Sequence, residues 1–84
     1  MAKIEIYTWQ SCPFCIRAKA LLERKGLSYI EYSIDGDQEA RRKMSERAKG
    51  KNTLPQIFIE GESIGGCDEL HYLERTRKLD ELLS

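Results

Sequence analysis

The sequence has no excess of charge of either sign: 14 basic side chains are matched by 14 acidic ones. Nucleic-acid binding by a small domain rests on a basic face or stripe, so a polyanionic partner is not expected. No apolar run approaches the ~18 residues of a membrane span, and no membrane partner is expected either. Met1-Ala2-Lys3-Ile4 leads straight into a strand pattern, without a charged-then-apolar export leader. A cytoplasmic location is therefore expected, and there disulfides are usually transient or catalytic rather than structural. Cysteine is scarce as well: three residues, an odd number and too few for a disulfide framework. The thiols read as chemical rather than architectural. With 84 residues there is room for one domain, taken as 1–84, whose modest core must do all the holding.

Against these absences stand clear local patterns. Ile4-Glu5-Ile6-Tyr7-Thr8 alternates apolar and polar side chains and predicts a first strand. Ser11-Cys12-Pro13 interrupts it, and Pro13 suits a first helical position, where its missing N–H would be unpaired anyway. Helix formers follow from Phe14 to Lys25, with Ala18, Leu21 and Leu22 on one face and Gly26 as the stop. Tyr29 to Ile34 predicts a second strand with Ile30, Tyr32 and Ile34 on one face. Asp37 caps a charged helix running to about Ala48, whose thin apolar stripe is Ala40, Met44 and Ala48. Gln56 to Glu60 predicts a third strand, its Ile57-Phe58-Ile59 run suited to burial on both faces. Gly61 turns the chain into a fourth strand, Glu62 to Gly65, to form a hairpin. A helix from about Cys67 to Thr76 and a short one around Leu79 to Leu83 close the chain, with Leu70, Leu73, Leu79, Leu82 and Leu83 expected on the sheet. The fold class is α/β. The first two strands, joined by a helix, should be parallel through a right-handed crossover.

Three segments carry chemistry. Cys12-Pro13-Phe14-Cys15 stands where a strand meets a helix. Only a thiolate attacks a disulfide, and a free cysteine is only about 3% ionised at neutral pH. A helix start favours negative charge, and the unpaired N–H groups of Phe14 and Cys15 can point at the Cys12 sulfur. Cys15, inside the first turn, is the more buried thiol and close enough to form a disulfide with Cys12. Thr53-Leu54-Pro55 puts a proline just before a buried strand; it is either a plain strand-entry proline or a cis-proline bend facing the cysteines. In the second case the backbone of Leu54 is free to pair with an extended, peptide-like substrate. Gly65-Gly66-Cys67-Asp68 is either a turn with a helix cap or a seat for an α-amino acid moiety, the carboxylate on N–H groups and the ammonium on a capping Asp68.

Together these segments, with Lys19-Ala20-Leu21-Leu22 and Ile34-Asp35-Gly36, resemble the glutaredoxins, specifically their dithiol class, over nearly the whole chain. The resemblance implies a thioredoxin-like fold, a four-stranded mixed sheet flanked by helices with its last two strands an antiparallel hairpin. It implies a glutathione–disulfide oxidoreductase in which Cys12 is the nucleophile and Cys15 the resolving thiol. Glutathione would be a co-substrate, with no permanently bound cofactor. Phe14, Thr53, Leu54, Pro55, Gly66, Cys67 and Asp68 would hold it, Leu54 through a cis peptide at the cysteinyl part and Cys67 and Asp68 at the γ-glutamyl end. Disulfide-bonded or glutathionylated proteins would be the other partners of a monomer, with the glutathione reductase system behind them. Trp9 departs from the family, which often has a lysine there for the glycyl carboxylate; Lys51 or Arg47 is the expected substitute. Three other readings compete. A redoxin served by thioredoxin reductase is favoured by Trp9 and opposed by Gly65-Gly66 and Asp68. An iron–sulfur carrier through Cys12 and glutathione is opposed by Pro13 and Cys15. A zinc module would add Cys67-x3-His71 to the CxxC, at a spacing unlike zinc sites. Lone His71 is expected on the surface, apart from the chemistry.

Overall fold

The structure, a computed structural model, describes residues 2–84; Met1, where the lead-in to the first strand begins, lies outside the described residues. The chain runs β1 (Ile4–Thr8), α1 (Pro13–Arg24), β2 (Ile30–Ser33), α2 (Gln38–Arg47), β3 (Gln56–Ile59), β4 (Glu62–Gly65), α3 (Cys67–Arg75) and α4 (Lys78–Leu83). The strands form one mixed sheet in the order β2-β1-β3-β4. β1 and β2 are parallel, with Ile6 opposite Glu31, and β3 and β4 form the antiparallel hairpin. The pairing that joins the two halves is β1 with β3, antiparallel, with Glu5 opposite Phe58 and Tyr7 opposite Gln56.

Alternation along β1 and β3 gives the sheet two unlike faces. Ile4, Ile6, Ile57 and Ile59 point to one, where Ala18, Leu21 and Leu22 of α1, Cys67 and Leu70 of α3 and Leu79 of α4 complete an apolar core. Glu5, Tyr7 and Phe58 point to the other, beneath α2, whose Met44 is fully buried. The Ile57-Phe58-Ile59 run is buried on both sides because the two middle strands have helices above and below. Ile30, by contrast, is 44% exposed, since β2 is an edge strand and α2 does not cover its start. Leu82 departs from expectation too: it is exposed, because a helix of six residues turns inward only Leu79 and Leu83, four apart. Among the described residues no helix is long and apolar enough to cross a membrane.

Candidate active site

The two neighbouring thiols are placed by the junction of β1 and α1. Cys12 is the N-cap of α1, with extended backbone, and Pro13 opens the helix. Of the N–H groups left unpaired there, that of Cys15 points at Cys12 Sγ, at 3.2 Å. Cys12 is half-buried, whereas Cys15 is 1% exposed, and both are free thiols. Burial pushes the Cys15 thiol up to about 12, its hydrogen bond with Cys12 adding to the shift. Cys15 therefore holds its proton at neutral pH, and the pair is chemically unequal: one accessible sulfur facing a backbone donor, one protonated thiol behind it.

Opposite Cys12 lies the entry to β3. The Leu54–Pro55 peptide is cis, and the Leu54 carbonyl oxygen is 3.8 Å from Cys12 Sγ. A groove of about 260 Å³ runs from this point to the start of α3. It is lined by Phe14 from α1, Thr53, Leu54 and Pro55 before β3, and Gly66, Cys67, Asp68 and Glu69 at α3. The far wall needs glycine twice. Gly65 has φ +109°, and a Cβ there would lie 2.7 Å from Glu69 Cγ. A Cβ on Gly66 would meet the Pro55 carbonyl oxygen at 3.0 Å, so the α3 start and the proline bend approach backbone to backbone. A larger open hollow, about 550 Å³, lies along α2 between Gln38 and Asn52 and holds no thiol; the reactive chemistry is at the smaller groove.

Several site expectations change. Asp68 does not cap α3: Gly66 occupies the N-cap position, and the Glu69 carboxylate accepts the Gly66 N–H at 2.7 Å. Glu69 was missing from the sequence-derived set although its place three residues beyond the cap is a recognisable signal. Arg47 does not line the groove. Its guanidinium donates to Glu5 at 2.9 and 3.2 Å and to the Tyr7 hydroxyl at 2.8 Å, and lies 4.1 Å from the centre of the Phe58 ring. Lys51 is exposed in the loop before Thr53 and is not among the groove residues either. His71 is half-buried rather than free on the surface, with Nδ1 2.9 Å from the Cys67 carbonyl oxygen and 3.4 Å from its sulfur. Cys67 and His71 thus stand side by side, one helical turn apart. Among the described residues no three potential metal ligands come together.

A helix-capping cysteine, a shielded second thiol and a cis-proline facing them form a disulfide-exchange site, and comparison with known proteins places it in a family. Residues 4–64 match the glutaredoxin family model. The chain belongs to the glutaredoxin family. It is 62% identical over 82 residues to the probable glutaredoxin ssr2061 of Synechocystis, spanning 98% of this chain and 93% of the relative. It is 52% identical over 83 residues to glutaredoxin 3 of Escherichia coli K12, covering 99% of each. Its backbone superposes on the buckwheat glutaredoxin–glutathione complex with a TM-score of 0.86 at 28% identity, covering 98% of this chain and 76% of that one. The thioredoxin-like sheet and the CxxC at a helix start are thus those of a glutaredoxin, and the chain is a thiol–disulfide oxidoreductase.

Proposed function

We propose that this glutaredoxin reduces protein–glutathione mixed disulfides and protein disulfides with glutathione as the electron donor, as a cytoplasmic monomer. The observation that carries this reading is the groove itself. It begins beside Cys12, offers the Leu54 backbone where an extended cysteinyl residue would pair, and ends on the start of α3, where N–H groups suit a carboxylate. Asp68 and Glu69, both exposed at that end, supply negative charge for an ammonium. Glutathione has these groups in this order.

In the first step the Cys12 thiolate attacks the glutathione sulfur of a mixed disulfide. The protein thiolate leaves and takes a proton, and Cys12 becomes glutathionylated. A second glutathione thiolate then attacks that glutathione sulfur, forming oxidised glutathione and restoring the Cys12 thiolate. For a protein disulfide the first attack leaves Cys12 bonded to the substrate. Cys15 gives up its proton, attacks the Cys12 sulfur and releases the second substrate thiol. Two glutathiones then reduce the Cys12–Cys15 bridge. Burial keeps the Cys15 thiol protonated in the reduced protein, so the first attack falls to Cys12 in both routes.

The test is turnover of a glutathionylated protein with glutathione and glutathione reductase, beside turnover with thioredoxin reductase. Cys12→Ser should abolish activity, and Cys15→Ser should keep deglutathionylation while losing most disulfide reduction. Activity surviving in Cys12→Ser, or turnover sustained by thioredoxin reductase alone, would end the proposal.

A further inference from the structure

Trp9, the residue standing where the family often has a lysine, has a partner. The guanidinium carbon of Arg41, on α2, lies 5.2 Å from the centre of the Trp9 ring. Both Nε and Nη2 of Arg41 donate to the carbonyl of Asn52, at 3.1 and 2.7 Å. Each of these anchors leads on to the reacting sulfur. The Trp9 carbonyl accepts the Cys12 N–H at 3.2 Å. Asn52 directly precedes Thr53 and Leu54, whose carbonyl faces Cys12 Sγ at 3.8 Å. We propose that Arg41, laid against Trp9 and forked onto Asn52, is a positioning residue that sets the Leu54 segment at its working distance from Cys12.

The chemistry of the side chain fits this task. A guanidinium is planar, so one face can stack on an indole while two edge N–H groups bind a single carbonyl. A lysine ammonium can neither fork nor stack in that way. Arg41 is also free of the ion pairs that occupy its neighbour: Arg42 is held by Glu39 and Glu46, whereas among the described residues no carboxylate pairs with Arg41. The loop carrying Cys12 has another tether, the Asp35 carboxylate accepting the Gln10 N–H at 2.8 and 3.0 Å. Asp35 also holds the Ser33 hydroxyl, so this tether fixes the loop to the end of β2 and leaves the Leu54 side untouched. Arg41 spans the gap that Asp35 does not.

The inference rests on the redox reading above, and a mutant cycle tests it. Arg41→Ala should lower kcat/KM for a glutathionylated protein about tenfold, mostly through KM, because the substrate seat is misplaced while the sulfur is intact. Arg41→Lys should recover little of that loss, and Trp9→Phe should keep most of the wild-type value. Trp9→Ala should cost less than Arg41→Ala, and the double alanine variant should be no worse than Arg41→Ala alone. Full activity in Arg41→Lys would show that a point charge suffices, and strictly additive losses would show that Trp9 and Arg41 act separately; either overturns the clamp. The backbone NMR shifts of Leu54 separate the two proposals, since they are read without glutathione. Moved shifts at Leu54 in Arg41→Ala with a wild type inert toward glutathione support the clamp and remove the glutathione reading. Unmoved shifts beside an active wild type overturn the clamp alone.

Discussion

The two faces of the sheet hold their helices by different physics. On the α1–α3 side the contact is apolar throughout, from Ile4, Ile6, Ile57 and Ile59 to Leu21, Leu22 and Leu70. On the α2 side, Glu5 takes hydrogen bonds from Arg47 and from the Tyr32 hydroxyl at 2.7 Å, while Tyr7 stacks near Tyr32 and Phe58. Apolar packing is non-directional and shared among many side chains, so it positions the cysteine helix robustly. The other face adds a directional ion pair, Arg47 with Glu5, and loss of the cation would leave a buried carboxylate with only the Tyr32 hydroxyl as a side-chain donor. The nucleophile thus stands on the wholly apolar side, and the helix that carries Arg41 stands on the side where buried Met44 shares the contact with an ion pair.

The contrast can be broken at either face. Leu22→Ala, at a fully buried site, should lower the urea unfolding free energy by about 3 kcal/mol. Arg47→Met should cost less, about 2 kcal/mol at neutral pH, because the Arg47 side chain is one-third exposed. The sharper result is the double variant Glu5→Gln with Arg47→Met, which should regain part of the loss, since no charge is then left unpaired. Strict additivity of those two changes would mean that Glu5 and Arg47 do not act as a unit.

This asymmetry explains how far the sequence could be read. The strands, the CxxC helix, the hairpin and the proline bend were legible because each is announced locally: alternation in Ile4-Glu5-Ile6, Pro13 at a helix start, Gly61 at a turn. The groove followed from three such local signals. What escaped notice depends on partners distant in the chain. Arg47 was read toward the glycyl carboxylate of glutathione, whereas its partner is Glu5, 42 residues away. Arg41 meets Asn52 and Trp9 only because α2 crosses both loops. Glu69 is the exception, a local cap hidden because Asp68 beside it looked the better candidate.

The faces also set opposite pH limits. The Arg47 guanidinium beside Glu5 holds its carboxyl below the usual range, aided by the Tyr32 hydroxyl, although burial opposes this. A carboxyl of lowered folded pKa contributes stability that is complete above its unfolded value, about 4.3, and is lost as pH falls through the folded one. Urea midpoints of the wild type should therefore fall on acidification more steeply than those of Glu5→Gln.

The smallest effect expected lies at the other end of the scale and on the other face. Cys15, beneath the apolar side of α1, is raised by burial from an ordinary value of 9.0 to about 12. Folding therefore keeps a proton that the unfolded chain gives up, and its contribution is complete below pH 9 and declines as pH rises toward 12. At pH 10 the reduced protein should have lost about 1 kcal/mol from this source. Cys15→Ser, with no thiol there to titrate, should lack that part of the slope between pH 8 and about 10, while groups titrating in both proteins cancel. Parallel slopes in the two would mean that the Cys15 thiol ionises as readily folded as unfolded. The apolar face would then not shield the resolving thiol, and the inequality of the two cysteines would have to come from Cys12 alone.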